Sequence, residues 1–335
     1  MSRAFASLAL LGLTVSMSGC DLPRAHGDAN AIIVATDFET WDQVEEAILA
    51  SLEPTIQTVR EERPFRVTHQ DPNETDHWGS LRRFRQVLSV GTRDDFWVAQ
   101  VLDAHPEGDQ AQAPQMLQVR DLWAKDQLVT VLLLPDTGKD EAVAQLGGPL
   151  YELMDEQYRA WARNRMFVSG RNTALADSLR ANVGFSFVFP NVYRYSVRDS
   201  VFRFRNDNPS PTERIREVTV TWEAPLPDEL PTRDELAEWR VGFTEEYFVN
   251  PQVLDTMIVT YQNVSLNGIE GVELQSAWAN PPDRWVAGGP FITRALRCPD
   301  QDRLYLVDAW LYAPGQDKYE YMIQLETILN SFQCG

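Results

Sequence analysis

From Ala31 onward, short runs that are apolar at every position alternate with stretches in which large side chains return every three or four residues. Ala31-Ile32-Ile33-Val34-Ala35 is of the first kind, the pattern of a strand covered on both faces. Trp41, Val44, Ile48 and Leu52 follow at helical spacing, with Thr40 and Gln43 placed as a capping box. Strands are predicted over 65–69, 87–90, 96–102 and 128–134, and a polar loop over 104–115. Leu150, Met154, Tyr158 and Trp161 mark one face of a long helix ending near Phe167. Residues 31–170 therefore read as a mixed α/β layer with helices on a sheet, ferredoxin-like by analogy.

Ser169-Gly170-Arg171-Asn172 is the best boundary, since a short helix over 173–181 then leads into a run of strands. These are predicted over 185–189, 193–197, 201–205 and 217–222, with a turn region at 206–211. Thr232 and Glu235 form a second capping box ahead of Leu236, Trp239, Phe243 and Tyr247. Further strands are predicted over 257–261, 271–278, 291–298 and 304–311. A terminal helix carries Met322, Leu325, Leu329 and Phe332 on one face. Residues 171–335 thus read as an antiparallel α+β sandwich, and the whole chain as α+β.

The first thirty residues obey another logic. Arg3 precedes an apolar stretch from Ala4 to Val15, and Ser18-Gly19 stand directly before Cys20. That is a bacterial secretory signal, residues 1–19, ending in a lipoprotein processing site. The stretch falls short of the ~20 apolar residues that span a bilayer. Acylation of Cys20 with more than one chain would make a stable anchor. Residues 20–30 read as the lipidated cysteine and a tether, reaching about 35 Å when extended. The expected location is the cell envelope, with the folded part outside the cytoplasm. Asp21 retains lipoproteins at the inner membrane in some enterobacteria, a rule too narrow to choose between inner and outer membrane.

Charge and composition remove several functions. With 49 acidic against 30 basic residues the formal charge is −19, which repels phosphate backbones, so no nucleic-acid partner is expected. The acyl chains, rather than broad electrostatics, supply the membrane contact. Cys298 and Cys334 are left as an even pair in an oxidising compartment, a disulfide candidate that would pin the chain end. His69, Asp71, Glu74, Asp76 and His77 are the densest set of potential metal ligands, but their spacing fits no standard site and a solvated acidic turn is the better reading. No nucleophile elbow, phosphate loop, dinucleotide fingerprint or zinc-protease helix is present, so neither a catalytic residue nor a cofactor is assigned.

Two features invite a binding role. Arg159, Arg163 and Arg165 make a basic cluster that suits a helix C-terminus better than a bound carboxylate or headgroup. The Gly/Pro-rich stretch from Asn280 to Pro290 holds Arg284, Trp285, Gly288 and Gly289, an aromatic and a cation set beside a Gly-Gly-Pro turn. The reading the residues favour over recognition folds Trp285 onto the core and makes the glycines a tight turn.

Three segments carry a family resemblance: Asp121-Leu122-Trp123-Ala124-Lys125-Asp126-Gln127-Leu128-Val129, Gly288-Gly289-Pro290-Phe291, and the run from Tyr312-Ala313-Pro314-Gly315 to Ile328-Leu329. Together they resemble the bacterial lipoproteins grouped as domain of unknown function 4837, over nearly all the chain after the tether. The resemblance implies an envelope lipoprotein inherited as one unit and transfers no catalytic residue. The leading expectation is a non-catalytic, lipid-anchored binding or assembly factor whose partner is an envelope protein or a small molecule. A hydrolase with its site between the halves comes second, and a metal- or solute-binding lipoprotein third. Cys20→Ser is expected to abolish acylation and leave a precursor that keeps residues 1–19. Intact-mass measurement checks this, and an unmodified Cys20 in mature wild-type protein would contradict it.

Overall fold

The computed structural model describes residues 22–210 and 212–335, so the signal sequence and Cys20 lie outside the described residues. The first half runs β1 (Ala31–Ala35), α1 (Phe38–Leu52), a short hairpin of β2 (Ile56–Gln57) and β3 (Glu61–Glu62), β4 (Arg66–Gln70), α2 (Thr75–Leu81), β5 (Gln86–Gly91), α3 (Phe96–Ala104), β6 (Gln115–Arg120), β7 (Leu128–Leu133) and α4 (Lys139–Met166). Five of these strands form a sheet in the order β4-β1-β5-β7-β6, parallel except at the β6 edge. Ile32, Val34, Leu88 and Val90 face α1 and α4, while Ile33, Ala35, Val87 and Val131 face α2 and α3. Both faces are covered, which is why β1 is apolar at every position and the central β5 and β7 nearly so, with Ser89 and Thr130 among the buried exceptions. The α/β layer is therefore as expected in kind, but its parallel pairing puts helices on both faces, where a ferredoxin-like layer has them on one.

Local readings needed correction where periods compete. Residues 96–102 are helix, not strand: Trp97, Val98, Val101 and Leu102 are buried at helical spacing, and the Trp97 indole donates to the Val90 carbonyl at 2.9 Å. The α1 cap is Asp37, whose carboxylate accepts from the Thr40 amide at 2.7 Å. Strand β6 escaped notice because an edge strand is half exposed and its apolar pattern is weak. Residues 22–30 are no free tether either. Backbone bonds join Lys125 N to Pro23 O and Ala25 N to Lys125 O, both at 2.8 Å, and Ala25 and Ala29 are buried.

The second half continues with α5 (Thr173–Val183), β8 (Phe185–Ser186), β9 (Arg194–Arg198), β10 (Val201–Asn206), β11 (Ile215–Glu223), α6 (Arg233–Tyr247), β12 (Val253–Leu266), β13 (Ile269–Ala279), β14 (Gly288–Cys298), β15 (Arg303–Tyr312), α7 (Tyr319–Leu329) and β16 (Gln333–Cys334). Seven strands build an antiparallel sheet in the order β12-β13-β14-β15-β11-β10-β9. On one face α5, α7 and the buried Phe185, Phe187, Phe189 and Phe332 fill the core. On the other lies α6, whose Thr232–Glu235 capping box is formed in both directions. Cys298 and Cys334 are joined by a disulfide that closes a 36-residue separation and ties β16 to the end of β14. A bridge of that span contributes about 2–4 kcal/mol.

Helix α7 belongs to both halves. Ile323 sits in the core of the first layer, while Leu325, Ile328 and Leu329 sit in the core of the second. Its N-terminus is capped from the other half: the buried Glu62 carboxylate accepts from the Lys318 amide at 2.7 Å and the Tyr319 amide at 3.3 Å. The same carboxylate lies 3.6 Å from the Lys318 ammonium. Burial pulls that ammonium below its ordinary range, and Glu62 pushes it back only in part. Arg159 of α4 reaches Asp155 at 2.7 Å, Glu326 of α7 at 2.8 Å and the Tyr319 hydroxyl at 3.2 Å. Arg165 lies 3.6 Å from Glu320 and over the Trp161 ring. Two members of the basic cluster thus clamp the halves together, beyond serving the helix C-terminus.

Glu62→Ala removes a helix cap and leaves the buried Lys318 ammonium without its carboxylate, held among the described residues by the Gln316 carbonyl alone at 2.6 Å. It is expected to cost about 3–5 kcal/mol, the penalty for breaking a buried ion pair on one side. A urea midpoint shift at constant slope measures it, and a loss below about 1 kcal/mol, the scale of an exposed pair, would contradict the assignment.

Candidate functional site

Strand pairing sets a row of side chains on the α6 face of the second sheet. Arg205 of β10 lies opposite Glu217 of β11, Glu217 opposite Trp310 of β15, and Trp310 opposite Phe291 of β14. Because side chains alternate along each strand, Arg203 and Tyr312 fall on the same face two residues away. Phe291 excepted, the row lines the floor of a cavity of about 370 Å³ whose aromatic side chains are Phe248, Trp278, Trp285, Trp310 and Tyr312. Trp278 and Trp310 meet edge to face at 5.5 Å, and Trp285 stands edge-on to Tyr312 at 5.8 Å.

Glu217 is buried beneath this floor, held by Arg203 at 3.1 Å and Arg205 at 3.3 Å. Burial is the larger influence on its carboxyl and pushes it up, and the two guanidiniums pull it back without cancelling the rise. The buried Trp310 indole N–H lies across the strand pair from that carboxylate and, like the guanidiniums, favours its charged form. Arg205 spends Nε on Asp207 and Nη1 on Glu217, leaving Nη2 without a partner among the described residues. Gln252, also on the wall, is fixed from below by the wholly buried Arg240, which donates to its Oε1 at 2.6 Å and to Asp308 at 2.7 Å. The lining is thus aromatic, rich in donors, and carries two guanidiniums against one carboxylate.

The sequence candidates divide. Trp285 is at the cavity rim, 54% exposed, and therefore not a core residue. Its carbonyl accepts from the Asn280 side chain at 2.8 Å, and the Asn280 amide closes the loop on Ala287 at 2.9 Å. Arg284 pairs with its neighbour Asp283 at 3.8 Å and does not line the cavity. Gly288 and Gly289 are not a turn: both lie in β14, paired with Ala279 and Trp278. A side chain at Gly289 would collide with the Leu311 carbonyl and the Trp278 indole, so its bare backbone lets Trp278 reach the cavity wall. Sequence reading missed Arg203, Arg205, Glu217, Phe248, Trp278, Trp310 and Tyr312. A usable signal existed in part, since Arg203 and Arg205 alternate with the buried Phe202 and Phe204.

Elsewhere the candidates do not converge. The His69 ring stacks on Trp41 at 4.6 Å with Nε2 2.9 Å from the Thr36 carbonyl, while Asp71 accepts from the Asn73 amide at 2.8 Å. Residues 75–77 of that stretch belong to α2 rather than to an acidic turn. Among the described residues no three His, Cys, Asp or Glu side chains share a metal-binding geometry. A second cavity of about 240 Å³ lies between the halves, lined by Arg159, Ser276, Phe291, Tyr319 and Glu326 among others. Burial, then the bond it donates to Asp155, push the Tyr319 hydroxyl far above its ordinary range. The Ser276 hydroxyl donates to the Asp255 carbonyl at 2.9 Å.

Residues 172–331 match the family described as Domain of unknown function (DUF4837), and residues 25–146 match a different one, Domain of unknown function (DUF8532). The family resemblance is thus confined to the second half, and the segment from Asp121 to Val129 falls in the stretch matched by the other family. No curated protein matches the chain significantly. Among solved structures the chain is similar to cyanobacterial PsbP (CyanoP) from Synechocystis sp. PCC 6803, at 12% identity and TM-score 0.33, over 45% of this chain and 87% of that one. It is also similar to the Ran-binding protein Mog1p of Saccharomyces cerevisiae, at 10% identity and TM-score 0.31, over 45% of this chain and 90% of that one.

Proposed function

With residues 172–331 a member of DUF4837, we propose that the chain is a non-catalytic binding protein of the cell envelope, lipid-anchored through Cys20. Its ligand occupies the aromatic pocket of the second sheet. The observation that carries this reading is the pocket itself: five aromatic side chains around a donor-rich floor, with Trp285 held half exposed at the rim. A cleft of this size with an apolar wall and a few placed polar groups is the usual form of a small-ligand site. The Arg205 Nη2 that no described residue engages favours a partner rich in acceptor oxygens, and the rings favour one with a flat or apolar body. Such a partner is a small molecule or the exposed end of an envelope protein. The net charge of −19 disfavours nucleic acid.

The hydrolase reading has a cavity between the halves but lacks the machinery. Its serine hydroxyl is spent on a backbone carbonyl and no histidine lines the space, so no nucleophile–base pair is formed among the described residues. A metal at residues 69–77 has no convergent ligand set to hold it.

A photoreactive side chain at the exposed rim residue Val249 should capture the partner in native membranes for identification by mass spectrometry. Trp285→Ala is expected to lower the captured amount about 30-fold, the ~2 kcal/mol typical of a lost interface anchor. Stability should change by no more than about 0.5 kcal/mol, as for other exposed positions. A large fall in melting temperature with undiminished capture would overturn the assignment.

A further inference from the structure

The way the chain enters the fold determines which surface a lipid on Cys20 would draw to the membrane. Leu22 lies two residues beyond Cys20, a span of no more than about 7 Å. From there the chain does not swing free. Besides its bonds to Lys125, the segment is held by His26 N on the Arg83 carbonyl at 3.1 Å and by Arg85 N on the His26 carbonyl at 2.9 Å. The Gln127 side chain locks the same corner from within, donating to the Arg82 and Phe84 carbonyls at 2.6 and 2.8 Å. Residues 22–28, 82–85 and 120–126 therefore form one surface, at the end of the first sheet where β5 and β7 begin and β6 ends.

This surface is basic in an acidic protein. It carries Arg24, Arg82, Arg83, Arg85, Arg120 and Lys125, against Asp28, Asp121 and Asp126. Arg24, Arg83 and Arg120 are exposed. One of the three carboxylates is turned to internal use, since Asp121 accepts from the Gln127 amide at 3.3 Å. The opposite end of the sheet has the reverse balance, with Asp37, Asp71, Asp94, Asp95 and Asp136 against Arg93 and Lys139. The first layer is thus electrically polar along its strands, and its positive end is the end that receives the chain from Cys20.

We infer that this basic end is a docking surface for the anionic headgroups of the bilayer in which the anchor sits. The inference rests on the lipid anchor of the proposed function. An acyl anchor alone fixes distance and leaves rotation free. The exposed cations of this end, within reach of an anionic surface, add an orienting force that decays within a Debye length. The protein stands on the positive end of its first sheet, and the acidic end points away from the lipid.

The test uses the full acylated protein reconstituted in two kinds of vesicle, phosphatidylcholine alone and phosphatidylcholine with phosphatidylglycerol. An arginine-selective reagent reports on each guanidinium by peptide mass spectrometry. Arg24, Arg83 and Arg120 should react about fivefold more slowly in the anionic vesicles, the factor that corresponds to the roughly 1 kcal/mol of each basic residue at such a surface. Arg198 and Arg233, exposed on the second half, should react equally in both. R83E with R120E should restore the reactivity of Arg24. Equal labelling of Arg24, Arg83 and Arg120 in both vesicles, with Cys20 acylated by mass, overturns the docking surface and leaves the anchor standing. An unmodified Cys20 overturns the anchor itself, and the docking surface with it.

Discussion

One buried carboxylate joins the two halves of this protein. Glu62 comes from a two-residue strand in the first layer and caps a helix that completes the core of the second. Its place is energetically demanding, because a buried charge without partners costs several kcal/mol. It is met by two backbone amides at the helix N-terminus, where the dipole favours an anion, and by the ammonium of Lys318. Arg159 repeats the arrangement further along, with carboxylates from α4 and α7 on either side of its guanidinium. Helix α7 can then give Ile323 to one core and Leu325, Ile328 and Leu329 to the other.

Much of this architecture was legible in the chain. Runs such as Ile32-Ile33-Val34 and Val129-Thr130-Val131-Leu132 declare buried strands because both faces must be apolar there. The misread element, α3, holds Trp97, Val98, Val101 and Leu102 in so short a window that helix and strand compete. The Glu62 cap was invisible, since its partners lie more than 250 positions away and no local pattern announces a carboxylate reserved for a distant helix. The site behaved similarly. Trp285 stood out because a tryptophan in a Gly/Pro-rich stretch offers rigid aromatic area, but local pattern favoured a core place for it, and only the fold leaves it half exposed at the rim. Glu217, Trp310 and Arg205 lie in three separate strands, and only the register brings them into one row.

The pocket and the joint follow a common rule. Each uses a buried acid to hold arginines or amides that would otherwise be free, Glu217 beneath the aromatic cavity and Glu62 at the head of α7. Beneath the cavity the acid fixes Arg203 and Arg205 while leaving donor capacity on the surface. A rigid, pre-arranged lining of this kind lowers the ordering cost of binding at the pocket.

A shared helix and a cross-half buried cap join the two halves into a single cooperative unit despite their separate sheets and separate family matches. Differential scanning calorimetry of the oxidised protein tests that most directly. A shared helix and a cross-half buried cap predict one transition, with the calorimetric enthalpy equal to the van't Hoff enthalpy to within about a tenth. Two resolved transitions, or a calorimetric enthalpy near twice the van't Hoff value, would mean that the halves unfold independently and that Glu62 and α7 do not couple them.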